Sequence, residues 1–332
     1  MPIPNDPLQR WWVEVAAENP NRVAELRPAL LAFLAFGPGR EPSFAGSGFI
    51  IAGRSELALA ITAKHVLTEG VGRVQRPWSQ GASSAVFKNL STPALTIDPR
   101  KLKVSWKGTH YADMMNVDHA AYNDSLDIAC NIITPQSGAS VKFQPITIQL
   151  DTTVPTVGQL VHMVSLSGLA VTEDKPPVDA SGNGQAITIT RNISIRVGVV
   201  TGVYPTGLRH YRWPCFTTSI PAEPGMSGGF VTLPREGKAI AACGIVCADN
   251  SPDEARSNFL NCGESIIACA WPALALRAPN YIPSTSTGPS HTLYSLMCAG
   301  RMIEPVGGLD RIEIIEQENG DCSIRIREQA KG

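Results

Sequence analysis

The sequence predicts an all-β protein, a barrel or a sandwich, with short N-terminal helices and a small C-terminal extension. Three observations predict this. At least ten short apolar runs, rich in Val, Ile, Ala and Thr, are bounded by Gly, Pro, Asn and Ser, among them GSGFIIAG, LALAITAKHVL, LDIACNII, ISIRVGVVTGVY and AIAACGIVC. No regular alternation of strands with long helices appears, so the rhythm of a parallel α/β sheet is missing. The 332 residues are 43% hydrophobic and 17% charged, which suits a globular chain with ample material for a core.

Taken in order, residues 8–27 (LQRWWVEVAAENPNRVAELR) have helical spacing broken at Pro20. That predicts one or two short helices within an N-terminal segment, 1–29. The strand texture begins at Leu30 and defines a main domain over 30–282. Longer polar stretches at about 68–125, 171–186 and 249–262 read as surface loops or excursions. WPALALRAP, 271–279, reads as a short helix closing the domain, and PSTSTGPS, 283–290, has linker composition. The rest, 291–332, is an extension. Its DRIEIIEQENGDCSIRIRE alternates apolar and charged residues around Asn319-Gly320, a hairpin signal.

The formal net charge of -1 gives no electrostatic footprint for nucleic acid or an anionic membrane. No apolar run approaches the roughly 18–20 residues that span a bilayer. The N-terminal MPIPNDPLQRWWVEV lacks the basic-then-apolar layout of a secretory signal, so a cytoplasmic location is expected. The eight cysteines include no C-x-x-C, and several lie inside apolar runs. They read as buried free thiols, with Cys243 and Cys247, or Cys262 and Cys269, as metal or disulfide alternatives. No phosphate-binding glycine motif, zinc-spaced cluster or basic-aromatic patch occurs, so neither cofactor nor metal is implied.

One stretch carries chemistry. PAEPGMSGGFV, 221–231, sets Ser227 among three glycines, followed by an apolar run. It fits the loose G-x-S-x-G of a nucleophile elbow, the G-x-S-G-G of another peptidase loop, or an ordinary Gly-rich turn. A serine at its ordinary pKa needs a positioned base, usually a histidine oriented by a carboxylate. Of six histidines, His65 follows a strand-like run in ALAITAKHVL, while His110, His119, His162, His210 and His291 lie elsewhere. The candidate carboxylate is Asp127 in SLDIACNII, because an acid opening an apolar strand needs a partner once buried. Asp124 stands three residues earlier as the alternative.

These blocks resemble a trypsin-like serine peptidase of the chymotrypsin fold, closest in texture to the HtrA-type and bacterial intracellular branches. TAKHV (62–66) resembles the block around that family's catalytic histidine, DIA (127–129) the aspartate block, and PGMSGG (224–229) the nucleophile block. GSGFII (46–51), VGVVTGV (197–203) and AACGIVC also sit where the family has strands, and the likeness covers about 30–280. The resemblance implies two six-stranded antiparallel β-barrels and a serine endopeptidase acting through an acyl-enzyme. It assigns His65, Asp127 and Ser227 as catalytic, and the backbone N–H groups of Gly225 and Ser227 as the oxyanion hole. It also implies a substrate pocket lined by Ser219, Pro221, Ile245, Val246 and Cys247, with Asp249 or Glu223 able to favour basic side chains. The order His, Asp, Ser separates this reading from the α/β-hydrolases, in which serine comes first. The expected partner is a protein or peptide substrate, with the N-terminal helices or C-terminal hairpin as docking elements. The alternative is a catalytically silent scaffold of the same fold, and the 68–125 stretch is the candidate cover of the cleft.

Overall fold

The structure, a computed structural model, describes residues 11–36, 42–71, 94–97, 100–108, 112–122, 126–136, 143–174, 186–208, 211–235, 239–249, 264–276, 278, 292–298, 305–306, 312–316 and 322–326. The chain enters through a strand, β1 (Trp12–Glu14), a helix, α1 (Pro20–Leu26), and a 3-10 turn, Arg27–Ala29. Then come β2 (Leu30–Phe36), β3 (Pro42–Gly53), β4 (Ala58–Thr62), the helix α2 (Lys64–Val71), β5 (Ala94–Thr96), β6 (Leu102–Lys107), β7 (Ala112–Tyr122) and β8 (Ala129–Pro135). Antiparallel pairing in the order β2-β3-β4-β8-β7-β6, with β6 returning to β2, closes a six-stranded barrel, and β5 pairs with the end of β7.

A short strand, β9 (Gln149–Asp151), leads to β10 (Leu160–Asp174), β11 (Ala186–Tyr204), β12 (Cys215–Thr218), β13 (Phe230–Thr232), β14 (Ala241–Asp249) and β15 (Ser265–Cys269). The order β10-β11-β12-β15-β14-β13, with β13 returning to β10, closes a second six-stranded antiparallel barrel. A 3-10 helix, Trp271–Ala275, ends it, at the short helix expected there. The extension holds α3 (Leu293–Cys298), β16 (Pro305–Val306) and the expected hairpin of β17 (Ile312–Glu316) and β18 (Cys322–Ile326). Leu293, Met297, Ile312 and Ile324 are buried in one cluster with Trp271 and Leu274, so the extension packs onto the second barrel.

The strands read as continuous apolar runs because both of their faces are buried. Leu31 and Phe33 of β2, Ile50 of β3 and Ala58 and Ala60 of β4 fill the first barrel. Their neighbours Leu30, Ala32, Phe49, Ile51, Leu59 and Ile61 face the other way, into a core shared with the second barrel. Phe49 and Phe230, fully buried, meet across that seam with ring centroids 5.2 Å apart. Strand alternation therefore builds the barrel and the joint between barrels from one set of residues.

Four expectations need correction. Within the N-terminal segment Trp12–Glu14 form a strand in place of the expected helix: Trp12, Val13 and Glu14 pair with Gly198, Val197 and Arg196 of β11. Pro20 opens α1 instead of breaking a helix, because the first helical position needs no N–H donor. The stretch at 68–125 is no mere excursion: it supplies β5, β6 and β7, and Met115, Val117 and Ala120 of β7 are buried in the first barrel. Both ends of the loop expected at 171–186 are strand, since β10 runs to Asp174 and β11 starts at Ala186, and 175–185 lie outside the described residues. Among the described residues no helix is long and apolar enough to cross a membrane. Cys130, Cys215, Cys243, Cys247 and Cys269 are free and buried. Burial pushes the Cys130 and Cys215 thiols up to about 12.

Candidate active site

The two barrels each bring part of one site. His65 is the second residue of α2, directly after β4. The first N–H groups of a helix have no acceptor within it. Here Asp127, just ahead of β8, supplies one: its Oδ1 accepts the His65 backbone N–H at 3.0 Å. Its Oδ2 lies 2.8 Å from Nδ1 of the same histidine. The Asp127 carbonyl also accepts the Lys64 N–H at 3.3 Å. Asp127 is 3% exposed, so its charge depends on these bonds and on the helix end it faces. A carboxylate only accepts, which puts the ring proton on Nδ1 and leaves Nε2 as the basic nitrogen.

Ser227 stands between two turns. Met226 donates its N–H to the Glu223 carbonyl at 3.0 Å, with Pro224 second and Gly225 third at φ +89°. Those are the marks of a type II turn, whose third position calls for glycine. Gly229 then donates to the Met226 carbonyl at 2.9 Å, with Gly228 third at φ +84°. In a trans peptide the N–H points opposite to its C=O. Fixing the Met226 carbonyl on Gly229 therefore aims the Ser227 N–H out of the turn. Among the described residues neither the Gly225 nor the Ser227 N–H has an acceptor, as an anion-receiving pair requires. Met226 itself is fully buried and anchors the loop.

The first barrel grips this loop. Ser47 of β3 donates its N–H to the Ser227 carbonyl at 2.7 Å and its hydroxyl to the Gly225 carbonyl at 2.8 Å. Thr62 donates its hydroxyl to the Ser47 carbonyl at 2.6 Å. A Cβ on Gly228 would lie 2.0 Å from the Ser47 carbonyl oxygen and 2.3 Å from Thr62 Oγ1. Gly228→Ala is therefore expected to destabilise the fold by about 3 kcal/mol, the sum of a left-handed backbone penalty and overpacking. Urea denaturation checks it; an unchanged midpoint would show that the seam yields.

Cys247 joins the halves. Ser227 donates its hydroxyl to the Cys247 carbonyl at 3.2 Å, and the Cys247 thiol lies 3.7 Å from the Asp127 carbonyl. His65, Asp127, Cys247 and Ser227 thus form one chain of contacts. Burial, and then the Asp127 charge, push the Cys247 thiol well above its ordinary value, so it stays neutral. Asp124, His110, His210 and His291 lie outside the described residues. His119 sits within β7, and His162 within β10, where burial followed by Arg22 lowers its pKa. Among the described residues no three His, Cys, Asp or Glu side chains gather as metal ligands.

The five pocket candidates hold the loop as much as they border it. Ile245 and Val246 are fully buried in the shared core, and the Val246 main chain bonds Gly228 and Gly229 at 2.8 and 2.9 Å. Ser219 is occupied: its hydroxyl donates to the Trp11 carbonyl and accepts the Val199 N–H at 3.0 Å. Pro221 is buried, and its carbonyl accepts Arg196 at 3.1 Å. The Glu223 carboxylate is paired with Arg196 at 2.7 Å. The Asp249 side chain lies outside the described part. Sequence reasoning missed Ser47 and Arg196 as site residues. The signals were glycines on both sides of Ser47, which permit close backbone approach, and a lone cation inside the apolar ISIRVGVV.

No curated protein matches the chain. Among solved structures it is similar to the MamO protease domain from Magnetospirillum magneticum in its apo form, at 14% identity, covering 74% of this chain and 94% of that one, with a TM-score of 0.38. It is similar to a structure described as GrC (13% identity, 74% and 91% covered, TM-score 0.40). Human heparin binding protein is similar at 12% identity, with 74% and 88% covered and a TM-score of 0.40. Likeness at that level says nothing about the chemistry of this chain. The model of the trypsin-like peptidase domain family matches residues 46–241, a span holding His65, Asp127 and Ser227. With that match over more than half of its length, the chain belongs to the trypsin-like peptidase domain family.

Proposed function

We propose that the protein is a serine endopeptidase. The observation that carries the reading is the two-point hold of Asp127 on His65, at 3.0 Å to the backbone and 2.8 Å to the ring. Such a hold prepares a neutral base in one tautomer beside the loop bearing Ser227. In the proposed reaction Ser227 Oγ, its hydroxyl turned from Cys247 toward His65, attacks a peptide carbonyl. His65 Nε2 takes the proton and passes it to the leaving amine. Asp127 stabilises the imidazolium, and the N–H groups of Gly225 and Ser227 receive the oxyanion. Water, activated by His65, then releases the acyl group from Ser227.

The substrate is a protein or peptide, with a small or medium apolar residue on the acyl side of the scissile bond. Pro221 and Ala222 offer no charge, and Glu223 is already paired with Arg196. One observation favours a second reading, a silent scaffold that binds proteins: the Ser227 hydroxyl is given to the Cys247 carbonyl in the resting structure. A fluorophosphonate probe decides between them. The expected result is a single adduct, mapped by mass spectrometry to Ser227. A folded protein that takes up no probe sinks the peptidase reading, and an adduct elsewhere sinks the site.

A further inference from the structure

We propose that Arg196 is a positioning residue for the loop carrying Gly225 and Ser227, and that strand β1 holds Arg196 in place. Arg196 lies mid-strand in β11 and is 6% exposed, an expensive place for a cation unless its donors are used. They point two ways. Toward the loop, Nη1 donates to the Pro221 carbonyl at 3.1 Å and Nη2 to Glu223 Oε1 at 2.7 Å. Glu223 is the first residue of the turn that sets the direction of the Gly225 N–H, so the guanidinium fixes the base of that turn.

Toward the N-terminus, Nε donates to Glu14 Oε2 at 3.2 Å, and the guanidinium carbon lies 4.8 Å from the Trp12 ring centroid. Glu14 is the direct cross-strand partner of Arg196. Its Oε1 accepts the Ile195 N–H at 2.8 Å, and its Oε2 also accepts the Ser194 hydroxyl. The Ser219 hydroxyl, bonded to the Trp11 carbonyl, ties β1 to the same wall. One planar cation thus connects two carboxylates, one from β1 and one from the nucleophile loop. Without it those carboxylates repel across the space it fills.

The test is hydrogen exchange on the full chain, comparing wild type with Arg196→Met and Glu14→Gln, with fluorophosphonate labelling rates measured in parallel. The expected result is about ten-fold faster exchange of the peptide 221–229 in both variants, the loss of about one charge-assisted hydrogen bond. The β2 and β6 amides keep their wild-type rates. The labelling arm rests on the peptidase reading: there the rate falls about ten-fold with half-saturation unchanged, and Arg196→Lys restores part of it. Among the described residues Glu14 has no hydrogen bond or ion pair to 221–229, so loosening there in Glu14→Gln is what a merely local role would not produce. Unchanged exchange at 221–229 in folded Arg196→Met overturns the proposal, as does loosening confined to β1. If Arg196→Met does not fold, Glu14→Gln decides alone, since its side chain is 38% exposed on an edge strand. Wild type that exchanges as expected but takes no label overturns the peptidase reading and leaves the positioning role standing.

Discussion

Ser227→Ala is expected to lower kcat for peptide hydrolysis about a million-fold, with the fold and the binding of product peptides unchanged. The size follows from removing the atom that forms the acyl bond in the proposed reaction. Alanine leaves only the oxyanion donors and substrate binding, worth roughly a thousand-fold over water. The fold survives because Ser227 is held by its main chain. Its carbonyl accepts Ser47, the neighbouring Gly228 N–H donates to Val246, and neither bond involves the hydroxyl. The hydroxyl's hydrogen bond, 3.2 Å to Cys247, is long and contributes little. Steady-state turnover and a thermal melt check this. Residual activity above one part in a thousand, or a collapse of the melt, would sink it.

Asp127→Asn is expected to lower kcat about ten-thousand-fold, again without unfolding. The sign comes from the two bonds Asp127 makes to one residue. The oxygen facing the His65 backbone meets a group that can only donate, so the amide of asparagine must place its oxygen there. Its NH2 then faces Nδ1 and can only donate. The ring proton moves to Nε2, and the nitrogen that should accept the Ser227 proton no longer can. Nitrogen-15 chemical shifts of His65 report the tautomer directly. Activity within ten-fold of wild type, or an unchanged tautomer, would contradict the geometry.

The motif blocks and the all-β class were legible because each rests on local chemistry. Glycines flank Ser227 where two turns need positive φ, and the apolar runs record strands buried on both faces. The alternation around Asn319-Gly320 marked the hairpin of β17 and β18. What escaped was set by contacts distant in sequence. β7 reads as polar because Asp113, Asn116, Asp118 and His119 alternate with small or flexible apolar residues, so its buried face is thin. β1 is three residues long, too short for periodicity to tell strand from helix, and β11 supplies the pairing that makes it a strand. The domain-scale spacing of His65, Asp127 and Ser227 is silent about Ser47, which meets the loop from 178 residues away.

The seam at Ser47 also governs when the molecule acquires a site. Synthesis delivers His65 and Asp127 first, on a barrel that closes with β8, about a hundred residues before Ser227 emerges. The serine loop then waits for β14, whose Val246 accepts Gly228, and for the first barrel, whose Ser47 holds the Gly225 and Ser227 carbonyls. Neither half of the chain alone holds both His65 and Ser227. On the proposed peptidase reading, a growing chain that has not yet made β14 therefore lacks a complete site, and the docking of the barrels is what completes it.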